Sequence, residues 1–170
     1  TNENVYVTGF GNHTALTIMF DLNGDILWHR YYYSISMYSK DILVDNSGHA
    51  YILGYHPGSN SMTLVKYDGN GEIIWERQTS SSFGDIAKLN FDHNGNIITC
   101  GFVNQLTFVK YTPSGDLIWS YYHHTTPFYS SLPFDFVLDD NDNIYATGAT
   151  SFSGGKIVSL KLDSSGQLIW

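Results

Sequence analysis

Charged and metal-ligating side chains recur at fixed places in this sequence. Asp41, Lys88 and Asp135 occupy the same place in three successive runs, "KDILVD", "AKLNFD" and "FDFVLD". Two acids flanking a lysine could pass protons to and from a substrate if they converged. Spread around a ring they would instead line a channel mouth as a solvated or ion-paired set, which is the expectation here. The turns "DHNGN" and "DDNDN" place Asp92, Asn94 and Asn96, or Asp139, Asn141 and Asn143, at alternate positions. Such oxygens suit calcium. The glycine falls before the third ligand and no glutamate follows at the required distance, so both read as hairpin turns and no cofactor is expected. The 7 histidines are scattered. His123 and His124 are adjacent, hence on opposite faces of a strand, and no pair has zinc spacing. The single cysteine, Cys100, excludes an internal disulfide and a cysteine-based metal cluster. The sequon Asn12-His13-Thr14 would matter only in a eukaryotic secretory pathway.

Bulk properties narrow the class further. With 170 residues, 42% of them hydrophobic, the chain can bury one substantial core. A formal net charge of -8 leaves no basic face for a phosphate backbone, so a nucleic-acid partner is not expected. No apolar run approaches a membrane span and no signal peptide opens the chain. A start at Thr1 favours a processed or excised piece.

What must position these residues is a repeat. Trp28, Trp75, Trp119 and Trp170 end the phrases "DLNGDILW", "DGNGEIIW", "TPSGDLIW" and "DSSGQLIW". Gly9, Gly54, Gly101 and Gly148 close "NVYVTG", "HAYILG", "NIITCG" and "NIYATG", while Asp45, Asp92 and Asp139 keep the same interval of about 47 residues. Turn residues cut each period into four short runs rich in β-branched and aromatic side chains. Asn-Gly and Ser-Gly between them predict tight hairpins with positive φ at both central residues. One period is therefore four antiparallel strands, A ("DIAKLNFD"), B ("NIITCG"), C ("TFVKY") and D ("DLIWSYY"). A period of this length and content predicts one blade of a β-propeller, with repeats over about 1–37, 38–84, 85–131 and 132–170 and one propeller unit over the whole chain.

The phrases "NIYATG" and "LVKYDGNGEIIW" resemble the bacterial and archaeal β-propeller repeat family. Its units carry an Asn-Ile-Tyr-Val-Thr-Gly strand, a Lys-Tyr-Asp strand and a Gly-to-Trp strand. Lys66, Lys110 and Lys161 hold the lysine place; Met19 departs from it in the first repeat, and Thr112 replaces the aspartate of the third. The resemblance implies an extracellular or cell-surface protein, with no particular activity. The tryptophan phrases also have a superficial likeness to the aspartate box of sialidases. Their spacing is one residue too long, and Arg30 and Arg77 are too few for the three arginines such an enzyme needs.

The tryptophans are expected to wedge between neighbouring blades, Trp75 and Trp119 mostly buried and Trp170 less so; the other reading makes them exposed platforms for sugar rings. Strands B, C and D occur four times and A three times, so Val5, Tyr6, Val7 and Thr8 are expected to form an open edge. A strand from outside these residues, contiguous sequence or a neighbouring subunit, is expected to cover it. In an up-and-down blade the A–B and C–D turns share one face, short and uniform here, and the B–C and D–A loops share the other. The second face varies in length and carries Tyr31, Tyr33, Tyr38, Tyr122, Phe128 and Tyr129, along with Tyr32 and Tyr121, about half of them structural. Variation concentrated there marks a binding face. The expected function is a non-catalytic protein- or glycan-binding or self-assembly module, with homo-oligomers possible in principle. The alternative is a glycan-active enzyme or lectin completed by further blades.

Overall fold

A computed structural model describes residues 4–12, 14–33, 36–58, 61–78, 87–102, 106–123, 131–150 and 157–170. Among them every regular element is a strand, and all pairings are antiparallel. The chain divides into two compact units, residues 1–81 and 82–170.

The first unit holds two sheets, blades I and II. Blade I is β1 (Val5–Gly11), β2 (Thr14–Phe20) and β3 (Ile26–Tyr32), paired in that order. Blade II is β4 (Tyr38–Val44), β5 (Ala50–His56), β6 (Ser61–Tyr67) and β7 (Ile73–Gln78). The second unit holds blades III and IV. Blade III is β8 (Ala87–Phe91), β9 (Ile97–Phe102), β10 (Leu106–Tyr111) and β11 (Leu117–Tyr122). Blade IV is β12 (Ser131–Leu138), β13 (Ile144–Thr150) and β14 (Ile157–Leu162), with Leu168 bridging to Leu162 where a D strand begins. These sheets match the four-strand period read from the sequence, with A absent from blade I.

Turn chemistry sets the hairpins, and it differs from the sequence expectation. Only the glycine of each turn has positive φ, from 75° at Gly95 to 86° at Gly24. Asp21 shows why. Its carbonyl accepts the Gly24 N–H, and its Oδ1 accepts the N–H groups of Asn23 and Asp25 at 2.8 and 2.9 Å. The carboxylate holds the two middle residues right-handed, leaving only the glycine left-handed: a type I turn with a bulge. Asp45, Asp68, Asp92, Asp139 and Asp163 repeat these bonds. Thr112 substitutes its hydroxyl, accepting the Asp116 N–H at 3.0 Å. Asp142 takes the glycine place with φ of 59°, a conformation aspartate tolerates better than most residues.

Within each unit the blades pack face to face. Ala15 and Tyr32 of blade I meet Ala50, Ile52, Val65 and Tyr67 of blade II, while Phe108 of blade III meets Phe136 of blade IV edge-on at 5.6 Å. Each of the larger apolar side chains among them, Ile52, Val65, Phe108 and Phe136, contributes about 1.5–3 kcal/mol when buried. The tryptophans complete these joints. Trp28 is 8% exposed and donates its Nε1–H to the Gly69 carbonyl at 3.1 Å; half-buried Trp119 does the same to Ser164 at 3.3 Å. Trp75 is buried, its ring meeting Tyr51 edge-on, and Trp170 is 57% exposed.

Candidate binding face

Lysine and tyrosine of the repeat motif meet the aspartate of the A–B turn, so they stabilise blades. Tyr51 and Tyr145 each donate an O–H to Asp45 and Asp139 at 3.2 Å, and Lys66 and Lys161 lie over the two tyrosine rings at 4.9 and 4.7 Å. In blade III Ile98 replaces the tyrosine, and Lys110 reaches Asp92 directly at 2.8 Å, both side chains buried. Burial pushes the Asp92 carboxyl up, but the bonds from Lys110 and Asn96 outweigh it and hold it below the usual range. In blade I the lysine place is Met19, which is buried, and Tyr6 donates instead to the Gly48 carbonyl.

The same bonds occupy the two turns considered for calcium. Asp92 receives two backbone N–H groups, the Asn96 amide and Lys110, whereas Asp139 receives two backbone N–H groups, the Asn143 amide and Tyr145. Side-chain bonding by Asn143 is the main reason the Asp139 carboxyl falls to about 2. No group of three histidine, cysteine or acidic side chains with metal-holding geometry occurs among the described residues. Cys100 is wholly buried, and burial raises its thiol pKa. His56 is buried too, between the Ser36 carbonyl at 2.9 Å and the Thr63 hydroxyl at 2.7 Å, so burial holds it neutral.

Asp41, Lys88 and Asp135 fall on β4, β8 and β12, the first in one unit and the others in the second. Asp41 and Asp135 follow a register shift, and each accepts the N–H of its successor. β1 has β2 as its one described partner; Val5 and Val7 are 52% and 47% exposed, while Tyr6 and Thr8 are half-buried.

At the B–C and D–A end of the first unit two aromatic pairs form. Phe10, at the end of β1, lies 4.5 Å from the Tyr38 ring, with the Lys40 ammonium 6.0 Å above its centre. Ser39 anchors the pair by donating to the Gly9 carbonyl at 2.6 Å. Tyr31, in β3, and Tyr33, just past its end, have rings 5.6 Å apart and are both exposed. Tyr32, on the other side of β3, is buried and donates to Glu76 at 2.8 Å. A recess of about 360 Å³ opens beside them, lined by Val7, Phe10, Leu16, Ile18 and Tyr31 among others. In the second unit Tyr122 is exposed, and Tyr121 is half-buried beside His123. Phe128 and Tyr129 lie outside the described residues.

Phe10 and Lys40 were not singled out by the sequence reading. A signal existed: the place after the strand-B glycine is Phe10, Tyr55 and Phe102 in three repeats of four.

Solved structures share this architecture. A protein of unknown function from Bacteroides caccae superposes with a TM-score of 0.54 at 13% identity, over 92% of this chain and 76% of its own. BamB from Moraxella catarrhalis superposes with a TM-score of 0.56 at 16% identity, over 92% of this chain and 46% of its own. The likeness shows the fold. It is all-β, with propeller-type blades of antiparallel strands, and the chain spans less than half of BamB. No protein-family model matches the sequence, and no curated protein does.

Proposed function

We propose that the chain is a non-catalytic binding and assembly module of the cell surface or exterior, presenting its B–C and D–A face to a protein partner. The observation that supports this most is a pair of aromatic contacts at this end, exposed Tyr31 with Tyr33, and exposed Phe10 with half-buried Tyr38 beside Lys40. Tyrosine joins rigid contact area to a polar tip, as protein interfaces use it. Asp45, Asp92, Asp139 and Lys110 are tied into the A–B turns, which suits a scaffold. A second reading, a lectin or glycan-active enzyme, draws on the exposed rings of Tyr31 and Tyr33, which could stack on a sugar.

Screening the 170-residue chain on arrays of folded bacterial surface domains and of glycans tests both. Tyr33→Ala with Tyr38→Ala should abolish a protein hit, and Asn70→Ala with Ser114→Ala, on the opposite turns, should leave it intact. Loss of binding only in the second variant overturns the assignment of the face. Hits confined to glycans, or hydrolysis of aryl glycosides, favour the second reading.

A further inference from the structure

A buried imidazole fastens the connection that leads from blade I into blade II. Ser36 and Met37 bring the chain to β4. Met37 is 1% exposed and lies across Gly54 of β5, where an added Cβ would stand 2.5 Å from its Cγ. His56, at the end of β5, holds the residue before it. Its Nδ1 lies 2.9 Å from the Ser36 carbonyl oxygen, and its Nε2 lies 2.7 Å from the Thr63 hydroxyl of β6. A carbonyl only accepts, so Nδ1 carries the proton, and Nε2 is then the acceptor to which Thr63 donates. One neutral tautomer satisfies both bonds.

A second proton fits this site badly. On Nε2 it would face the hydrogen of the Thr63 hydroxyl, and it would place a charge on a side chain that is 0% exposed. The ionisable groups that the described residues bring to the ring are Tyr32 of β3, 6.2 Å away, and Glu76 of β7, which accepts the Tyr32 O–H. Burial holds the His56 pKa below its ordinary value; the Ser36 bond and the Glu76 charge oppose it and are outweighed. Lifting Ser36 away opens the ring to water and removes that penalty. Acid therefore favours the lifted state.

We propose that His56 is an acid-released latch on this connection: neutral, it ties Ser36 down and keeps Met37 seated on Gly54, and protonated, it lets both go while the strands stay paired. The B–C and D–A end of the unit changes with it. Tyr38 follows Met37 directly and makes the contact with Phe10, so acid loosens that aromatic pair and leaves Tyr31 and Tyr33 as they are. The latch rests on these buried contacts and holds whether or not that face has a partner.

Oxidation by dilute hydrogen peroxide, read by peptide mass spectrometry of the 170-residue chain, tests it, because the Met37 sulfur is reached only when the latch opens. In the wild type the Met37 rate should climb as pH falls below about 6.5, with a limiting slope of about tenfold per pH unit, the signature of one proton. It should level off where the His56 ring titrates by NMR. His56→Gln keeps a donor and an acceptor without titrating in this range, and its Met37 rate should not change between pH 7 and 5. Hydrogen exchange at Ile52, which is 0% exposed, reports opening of the strands themselves. Relative to unfolded peptides, Met37 should open at least about tenfold more often than Ile52 at pH 5, the mark of a local event. If His56→Gln fails to fold by circular dichroism, the wild-type profile, the ring titration and the Ile52 comparison decide the matter. A Met37 rate that is flat in the wild type, one that climbs equally in His56→Gln, or opening no more frequent than that of Ile52 overturns the latch.

Discussion

The indole of Trp28 closes over Gly71, its Cδ2 standing 2.8 Å from where a Cβ would lie, and its Nε1 reaches the Gly69 carbonyl at 3.1 Å. One tryptophan thus packs against a backbone patch that only glycine leaves bare. Trp28→Ala should cost about 3–5 kcal/mol in urea unfolding, as other large aromatic truncations do. Trp170→Ala, at an exposed place, should change the stability of the monomer by less than about 0.5 kcal/mol.

Glycine substitutions separate the seat from the turn. Gly24 and Gly166 share a left-handed φ, 86° and 83°, but only Gly166 lies under an indole. Gly24→Ala should cost about 1–2 kcal/mol for the backbone alone. Gly166→Ala should cost measurably more, because the new methyl displaces Trp119. Equal melting temperatures for the two variants would show that the Trp119 seat is not closed in solution.

Lys110→Met tests the buried pair. Asp92 would keep its bonds from Asn94 and Asn96 but lose its cation, so the cost should fall near the low end of the range for broken buried pairs, about 3 kcal/mol. Lys66→Met should cost less in the same unfolding assay, since His49 and Tyr51 still bond to Asp45.

Stability should respond to pH in three windows. Burial lowers the His56 pKa, so the unfolded chain takes up a proton there first; stability is full above about 6.5 and falls as pH drops below it. His93 is the reverse. Its bond to Asp142 raises the pKa, so its contribution is complete below about 6.5 and is lost as pH rises through the raised value. The turn carboxylates act lower down: Asp139 contributes above about 3.8, and that contribution is lost as pH falls to about 2. Thermal melts from pH 2 to 9 should show a broad maximum, and His93→Ala should flatten only its alkaline side.

Strand count, strand order and the absent A strand of blade I were legible because Gly9, Gly54, Gly101 and Gly148 mark one register in every repeat. The turn type was misread. "NG" signals a hairpin, but the carboxylate of Asp21 three places before the glycine decides its conformation, and a two-residue signal omits it. The wedge role of the tryptophans could be reasoned from their spacing, yet their seats could not. Trp28 and Gly69 are 41 residues apart, and nothing local ties them. At the candidate site alternation along β3 and just past its end separates exposed Tyr31 and Tyr33 from buried Tyr32, a distinction the count of tyrosines did not make.

Because the indoles of Trp28 and Trp119 reach forward in the sequence, synthesis meets the two halves of a joint in a fixed order. Trp119 leaves the ribosome 45 residues ahead of Ser164, a delay on the order of 2–9 s at ordinary elongation rates. During that time a nascent blade holds its widest apolar side chain uncovered. Blades I and III are therefore each finished by the blade that follows, and a pause in translation after Trp119 would lengthen the interval in which another chain, or a chaperone, can reach it first.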